Sequence, residues 1–483
     1  MEAKMKSLLT KSHLLAMVIV TASLLMSAGS VLAVDSDPVD SNMLFDHSRA
    51  YSFYITIDPC EWEAMRFECP GGQCPWTQSD IEATYHYAEL TCGDWGPMII
   101  GIHRKNDPAL PSEADPQKFS MKVDIDRYIP DQMFAGKSKF SIECGSQTSA
   151  AQEGFAWNVY NRTGMVSPRV TWVNVYVSTD GGQNFSNKGV FTSVEQIDKE
   201  FLKDHDVNQS GWLYKMEEWG LSQRTHETPF VANPFRFNWY PFDQGTDATE
   251  IPTPSDWLTQ APVRVNMTQA LKMCVAENFN AGSDAFCQKG TNFWFYDWST
   301  TPGNPSDPNN HQPRLYFPWD LDNAFMANQT GRSITNYDVS GGGGAFSKAL
   351  ENELKEDFTP FGYHTFKADY LRMYKTMVDG PLNQTALLNE VTALNTVYGP
   401  SMNADPYSGN GFSTVTTFID NRYTTIAPQL NAYMKATGPN PADAATYVSV
   451  NADLSWVAGI DGNTQDVYFG TSNPPTYKTN QAG

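Results

Sequence analysis

Beyond its first 33 residues the sequence lacks any apolar run long enough to cross a membrane, since a spanning helix needs about 20 such residues. The first 33 residues have the pattern of a secretory signal. Lys4, Lys6 and Lys11 precede an apolar core at residues 14–26, and small residues ending at Ala33 fit a cleavage site. We therefore expect an exported protein with no membrane span, secreted or held at the cell surface and cleaved near Ala33.

Positive charge is also scarce. The chain has 33 Lys and Arg against 54 Asp and Glu, which gives a formal net charge of −21. Proteins that bind nucleic acid or anionic lipid broadly need a basic surface, so this balance argues against both partners. It does not exclude a metal-chelated nucleotide held in a local basic pocket.

Cysteine is sparse, with seven residues that all follow residue 33. In an oxidising compartment most of them should form disulfides, and the odd number leaves one thiol over. Cys69 and Cys74 are close enough to close a short loop. A zinc site at these residues is an alternative, although no His lies at ligand spacing nearby. The pairing itself is left open.

The most informative stretch that is present is residues 315–322, LYFPWDLD, in which an apolar strand leads into two carboxylates. Residues two apart on a strand share a face, so Asp320 and Asp322 are predicted to approach one divalent cation together. Mg²⁺ often takes one or two carboxylates plus the phosphates of a substrate. The alternative is an ordinary strand end or turn, where Asp is common.

The patterns of apolar residues divide the chain into a strand-rich part and a helix-rich part. Period-two alternation predicts strands at 52–57, 84–90, 118–125, 169–177 and 190–197. Helical spacing of apolar residues predicts helices at 149–162, 198–204, 271–278, 366–378 and 384–397. A segment rich in Pro, Asn and Asp at 300–312 is predicted to be a loop.

These patterns predict one main body with a small appendage. The expected segments are a signal at 1–33, a loose mature N-terminus at 34–50, a main domain at 51–436, a Pro/Ala linker at 437–446 and an appendage at 447–483. The appendage has alternating strands like those of a fibronectin III-like sandwich. It is too short for a whole one, because such a sandwich needs about 100 residues.

Three sequence blocks together resemble one family. They are VEQIDKEFL at residues 194–202, LYK at 213–215 and PWDLD at 318–322. In this order and at this spacing they resemble the CotH-like kinases (spore-coat protein H-like), and the resemblance covers roughly residues 50–435. It implies an α+β, bilobal protein-kinase-like fold with a β-rich N-lobe and a helical C-lobe. It also implies use of ATP with Mg²⁺ or Mn²⁺ to phosphorylate Ser or Thr of exported proteins.

The resemblance also assigns residues to the nucleotide. Lys118 is the better match to the family's strand lysine, and Lys122 lies four residues on, so one of them is expected to contact the phosphates. Glu153, in the first long helix, is expected to orient that lysine as an ion pair. Glu195 is expected near the adenine. The alternative for either lysine is a solvated surface residue. The alternative for Glu195 is an ordinary strand end.

The resemblance assigns the chemistry to the segment that follows. Asp284 matches the family's catalytic Asp, which orients the acceptor hydroxyl. Asp320 matches the principal Mg²⁺ ligand, with Asp322 beside it. Asn292 matches a recurrent Asn downstream of the catalytic Asp, and we expect it to be a further metal ligand.

One departure from the family pattern keeps a second interpretation open. Lys105 stands where the family has glycine, and glycine lets the backbone approach a phosphate closely. A catalytically silent structural or adhesion protein on the same scaffold is therefore an alternative to the kinase. A third interpretation is a metal-dependent hydrolase that uses Asp284, Asp320 and Asp322. The sequence does not reveal the phosphate acceptor or the oligomeric state.

Overall fold

The computed structural model describes most of the chain from residue 40 onward. The predictions for residues 1–33, for Cys69 and Cys74 and for most of the 300–312 loop lie outside the described residues. The described residues are 40–68, 85–105, 108–209, 211–217, 220–223, 261–262, 265–288, 292–298, 312–335, 365–407, 411–442, 445–449, 451–460, 464–472 and 475–482.

Two compact units make up the chain, and the first contains a closed seven-stranded barrel with strand order β1-β2-β3-β6-β7-β9-β8. Buried and half-buried residues alternate along its first strand, Tyr51–Ile57, because successive side chains point to opposite faces. Residues 400–409 belong to this unit as well. The strands are β1 (Tyr51–Ile57), β2 (His86–Cys92), β3 (Trp95–Arg104), β4 (Leu110–Ser112), β5 (Asp115–Lys118), β6 (Met121–Asp124), β7 (Lys139–Glu143), β8 (Val170–Ser178) and β9 (Ser186–Glu195).

The barrel corrects the expectation of a plain kinase-like N-lobe. β1 pairs with β2 on one side and with β8 on the other, so the sheet closes and has no free edge there. Two short helices accompany it: α1 (Ser41–Leu44) and α2 (Pro59–Phe67), which Asp58 caps at its N-terminus. The strand predicted at 118–125 is two strands, since β5 ends at Lys118 and β6 begins at Met121.

The second unit contains residues 147–170, 194–399 and 410–483, and it combines helices with a four-stranded antiparallel sheet of order β11-β10-β12-β13. Its elements are α3 (Ala150–Arg162), α4 (Lys199–Asp204), β10 (Trp212–Glu217), β11 (Gly220–Gln223), α5 (Met267–Asn280), β12 (Phe293–Asp297), β13 (Leu315–Pro318), α6 (Thr365–Asp379), α7 (Gln384–Asn403), α8 (Gly411–Met434), β14 (Thr437–Asn440), β15 (Ser455–Val457), β16 (Thr464–Tyr468) and β17 (Tyr477–Ala482).

Capping residues set the starts of two helices. Ser149 and Gln152 form a reciprocal capping box at the start of α3, and the Asp198 side chain accepts the Phe201 N–H at the start of α4. The last four strands form two separate two-stranded sheets, β14 with β15 and β16 with β17. No described helix is long and apolar enough to cross a membrane.

The β12–β13 hairpin positions the residues of the candidate site. At one end a buried ion pair joins Arg314 to Asp297 through two contacts of 2.6 and 2.8 Å. At the other end Phe293 pairs with Pro318, and the Trp319 N–H donates to the Asn292 carbonyl at 3.1 Å. The residues just before β12 and just after β13 are therefore brought side by side.

The described cysteines include one disulfide, between Cys274 and Cys287. This confirms that the protein contains a disulfide. The prediction that one cysteine is left over stays a prediction, because Cys69 and Cys74 lie outside the described residues.

Candidate active site

A small cleft in the second unit brings two of the predicted aspartates together. Asp284 and Asp320 both line it, as do Asn280, Asn323 and Tyr160. Asp284 follows α5 and Asp320 follows β13, so the cleft is assembled by the hairpin geometry and by the end of α5. Every donor atom among these side chains is an oxygen or an amide nitrogen.

Asp284 lies in a loop, residues 281–288, that leaves the C-terminus of α5. The helix ends because Ala281 adopts a left-handed conformation with φ of 52°. The Asn292 Nδ2 donates to the Asp284 backbone carbonyl at 3.2 Å. Asn292 therefore holds the loop through its backbone, and it is not among the residues that line the cleft.

Contacts at both ends of this loop hold it on the helix. Glu277 Oε2 accepts the Cys287 N–H at 2.7 Å, and the Cys274–Cys287 disulfide joins the same part of the loop to α5. At the other end Arg332 donates to the Gly282 carbonyl. Asp284 therefore lies between two residues that these contacts hold in place, Gly282 and Cys287.

Arg422 from α8 secures the end of α5 that precedes the loop. Its buried guanidinium donates to the carbonyls of Asn278 at 2.8 Å and Phe279 at 3.2 Å, and to the Asn278 side chain at 2.8 Å. A cation at a helix C-terminus satisfies carbonyls that have no partner within the helix. Sequence reasoning gave no role to Arg422, because α8 and α5 are far apart in the chain.

Asp320 has an unusual backbone conformation. Its φ is 56°, in the left-handed region that costs a non-glycine residue energy and is over-represented at functional sites. The preceding Trp319 packs against Trp157 and Trp294, with ring centroids at 6.3 and 5.9 Å, and its N–H is bonded to Asn292. The surroundings therefore fix the backbone that presents Asp320.

The strand argument for pairing Asp320 with Asp322 is wrong, because β13 ends at Pro318 and both residues follow it. Asp322 does not line the cleft. Its carbonyl accepts from Thr148 Oγ1 at 2.9 Å, and its Oδ1 accepts from Asn323 Nδ2 at 2.9 Å.

The donor set fits a hard cation better than zinc. No group of three or more His, Cys, Asp or Glu in the described part of the chain is arranged to hold a metal ion. Mg²⁺ does not require such a cage, because it commonly uses one or two carboxylates together with substrate phosphates. Two carboxylates and two carboxamides around one cleft match that requirement.

Lys118 lies in the first unit and already has close partners. Its Nζ donates to Asp405 Oδ2 and to the Val190 carbonyl, each at 2.7 Å, and both ionic side chains are buried. Burial alone would raise the pKa of Asp405. The charge and hydrogen bond of Lys118 and the N–H groups of Tyr407 and Val190 outweigh burial and lower that pKa. The sequence gave no signal of this pair, whose members are 287 residues apart.

We expect Lys118→Met to destabilise the protein by about 3–5 kcal/mol, because it leaves the Asp405 carboxylate buried without its counter-charge. The combined variant Lys118→Met with Asp405→Asn should recover part of this loss. Urea unfolding measures both. Lys122→Met is the matched control, since Lys122 is only half-buried, and it should change stability much less. A parental unfolding midpoint for Lys118→Met would contradict a structural role for the pair.

Lys122 has a different setting on β6. It is paired across the sheet with His103 on β3 and Ser141 on β7. His103 is buried, and burial, helped by the positive charge of Lys122, lowers the pKa of His103 to about 4. Lys105, at the expected glycine position, contacts Glu143 at 2.5 Å.

The two glutamates predicted for the nucleotide are both buried in the second unit. Glu153 lies in the first turns of α3. Glu195 contacts Arg169 at 2.5 Å and His205 at 3.0 Å. The Glu195 carboxylate thus already has two cationic or polar partners.

Glu277 has a buried carboxyl that nothing in the sequence marked as unusual. Burial raises its pKa to about 8, although the Cys287 N–H and the charge of Arg332 act in the opposite direction. In the unfolded chain the same group should ionise near its ordinary value of 4.5. Glu277 is therefore protonated in the folded protein at neutral pH.

This difference predicts a pH-dependent effect of Glu277→Gln. Below about pH 4.5 both states of the parent are protonated at this residue, so the variant gains nothing. As pH rises from about 5 to 8 only the unfolded chain ionises, and the parent loses stability relative to the variant, by at most about 1.4 kcal/mol per pH unit. Urea unfolding of both proteins at four pH values checks this. A stability difference that is constant with pH would contradict it.

Comparison with known proteins assigns the chain to a family. No curated protein sequence matches the chain. The crystal structure of the Helicobacter pylori proinflammatory kinase CtkA is similar to it with a TM-score of 0.30 and 9% identity, over 72% of this chain and 90% of that one. The family model for CotH kinase proteins matches residues 111–435, which is more than half of the chain. The chain therefore belongs to the CotH kinase family.

Proposed function

We propose that this protein is an exported kinase that transfers the γ-phosphoryl group of ATP to Ser or Thr hydroxyls of secreted or surface proteins. The observation that carries the proposal is the cleft lined by both Asp284 and Asp320, in a chain of the CotH kinase family. Phosphoryl transfer needs positioned phosphates, neutralised charge and an oriented hydroxyl, and two carboxylates in one cleft can provide the last two.

The two aspartates have separate roles in this proposal. Asp320 would hold Mg²⁺ or Mn²⁺, and the cation would supply positive charge to neutralise the charge that develops on the phosphates. Asp284 would accept a hydrogen bond from the acceptor hydroxyl. As the acceptor oxygen bonds to the γ-phosphorus, the bond to the β-phosphate oxygen breaks, ADP leaves and the hydroxyl proton passes to the Asp284 carboxylate.

In this proposal Lys122 would contact the phosphates of the nucleotide. Lys118 is the weaker candidate, because its ammonium is buried against Asp405 and Val190. Glu153 would orient the lysine and Glu195 would lie near the adenine, as the family resemblance implies.

The experiment is incubation of the purified full chain with γ-labelled ATP, Mg²⁺ or Mn²⁺, and exported proteins as acceptors. The proposal predicts label on Ser or Thr that EDTA abolishes. Label released only as free phosphate would instead favour a hydrolase.

A catalytically silent scaffold is the second candidate. It is favoured by the engagement of Lys118 with Asp405 and by the presence of Lys105 where the family has glycine. Equilibrium dialysis with Mn²⁺ and ATP separates the two, since a silent scaffold does not bind the nucleotide and a kinase does.

A further inference from the structure

Asn280, the last residue of α5, places an amide group at the cleft. The residue is 1% exposed and lines the cleft together with Asp284 and Asp320. Its Oδ1 is buried and has no hydrogen-bond partner among the described residues. Most buried polar atoms in proteins have a partner, so an acceptor in this state beside a cleft that two aspartates also line points to a ligand.

The orientation of this amide follows from its contacts. Asn280 Nδ2 donates to the Ala156 carbonyl on α3 at 3.0 Å. Only the nitrogen end of a carboxamide can donate, so the oxygen end is the atom without a partner. The Asn280 carbonyl also accepts the Phe325 N–H at 2.9 Å, which ties the residue to the segment that follows Asp320.

We propose that Asn280 Oδ1 is a ligand of the divalent cation that Asp320 holds, an inference that rests on the proposed function. A carboxamide oxygen is an accepted ligand for hard cations. The contacts to Ala156 and Phe325 hold Asn280 in place before the cation arrives.

This assignment replaces two residues that the sequence had offered as ligands. Asp322 does not line the cleft, and its Oδ1 accepts a hydrogen bond from Asn323. Asn292 also lies outside the cleft lining. Asn280, in contrast, lines the cleft and has a buried amide oxygen that can bind the cation.

The test is Mn²⁺ affinity of the full chain, measured by electron paramagnetic resonance with a non-hydrolysable ATP analogue present. Asn280→Ala should weaken Mn²⁺ binding about 10- to 100-fold, the range seen when a supporting group at a metal site is lost. Asn280→Asp should bind Mn²⁺ at least as tightly as the parent, because it keeps an oxygen ligand and adds charge. Asn158→Ala is the matched control, since Asn158 is a buried amide of α3 outside the cleft.

The Asp variant separates a ligand from a structural amide. Both Asn280→Ala and Asn280→Asp lose the donor to Ala156, so a purely structural role predicts equal damage in the two. Equal loss of Mn²⁺ affinity in both variants, or parental affinity in Asn280→Ala, overturns the inference while leaving the proposed function standing if Asp320→Asn abolishes binding. Failure of the parent itself to bind Mn²⁺ overturns both.

Discussion

Asp320→Asn is expected to abolish metal-dependent binding of ATP and, with it, phosphate transfer. The substitution removes the charge that holds the cation but keeps the shape of the side chain. Asn is the appropriate replacement, because Asp320 has φ of 56° and Asn tolerates the left-handed region well, whereas Ala does not. The affinity for Mn²⁺ with ATP should fall by more than about 100-fold, beyond the loss caused by removing a supporting group.

Equilibrium dialysis with labelled ATP and Mn²⁺ measures this loss. Asp322→Asn is the matched control, since it makes the same charge change two residues away and outside the cleft lining. It should retain most of the parental affinity. Parental binding by Asp320→Asn, or equal losses in the two variants, would show that the cation is not held at Asp320.

Asp284→Asn should separate binding from turnover. The variant removes the carboxylate that orients the acceptor hydroxyl but leaves Asp320 and its backbone in place. We expect turnover to fall by about 10²–10⁴-fold, the usual contribution of one positioned acid–base group, with little change in the affinity for Mn²⁺ and ATP. Steady-state transfer rates and dialysis on the same preparation check the two halves of this expectation.

Two results would refute the role of Asp284. One is transfer at the parental rate by Asp284→Asn. The other is loss of nucleotide binding in step with turnover, which would place Asp284 among the ligands. Circular dichroism spectra of all variants should match the parent, because the loop that carries Asp284 is also held by Glu277, Arg332 and the Cys274–Cys287 disulfide.

Local sequence patterns predicted several elements of both units. The alternation at β1 and the helical spacing of α3 and α5 each depend on neighbouring residues, and the structure confirms these elements. The family resemblance pointed to Asp284 and Asp320, and both line one cleft.

The features that sequence did not predict depend on distant pairings. Closure of the barrel comes from the parallel pairing of β1 with β8, and period-two alternation is the same in an open and a closed sheet. Arg422 contacts α5 from 144 residues away. Asp320 was misplaced on a strand because apolar residues continue to Trp319, whereas β13 ends at Pro318.

Asn280 shows a different limit. It precedes Asp284, which the family resemblance marked, yet an Asn at the end of a helix is common and carries no chemical signal. The structure adds the contact of Asn280 Nδ2 to Ala156, which identifies Oδ1 as the amide atom without a hydrogen-bond partner among the described residues.

The most direct test of the account is the location of the cation. Crystals of the protein with Mn²⁺ and a non-hydrolysable ATP analogue give an anomalous difference peak at the metal. The account predicts this peak in the cleft, within about 2.5 Å of an Asp320 carboxylate oxygen, as expected for a hard cation on its oxygen ligands. A nucleotide-bound structure with the Mn²⁺ peak elsewhere, and none at Asp320, would contradict it.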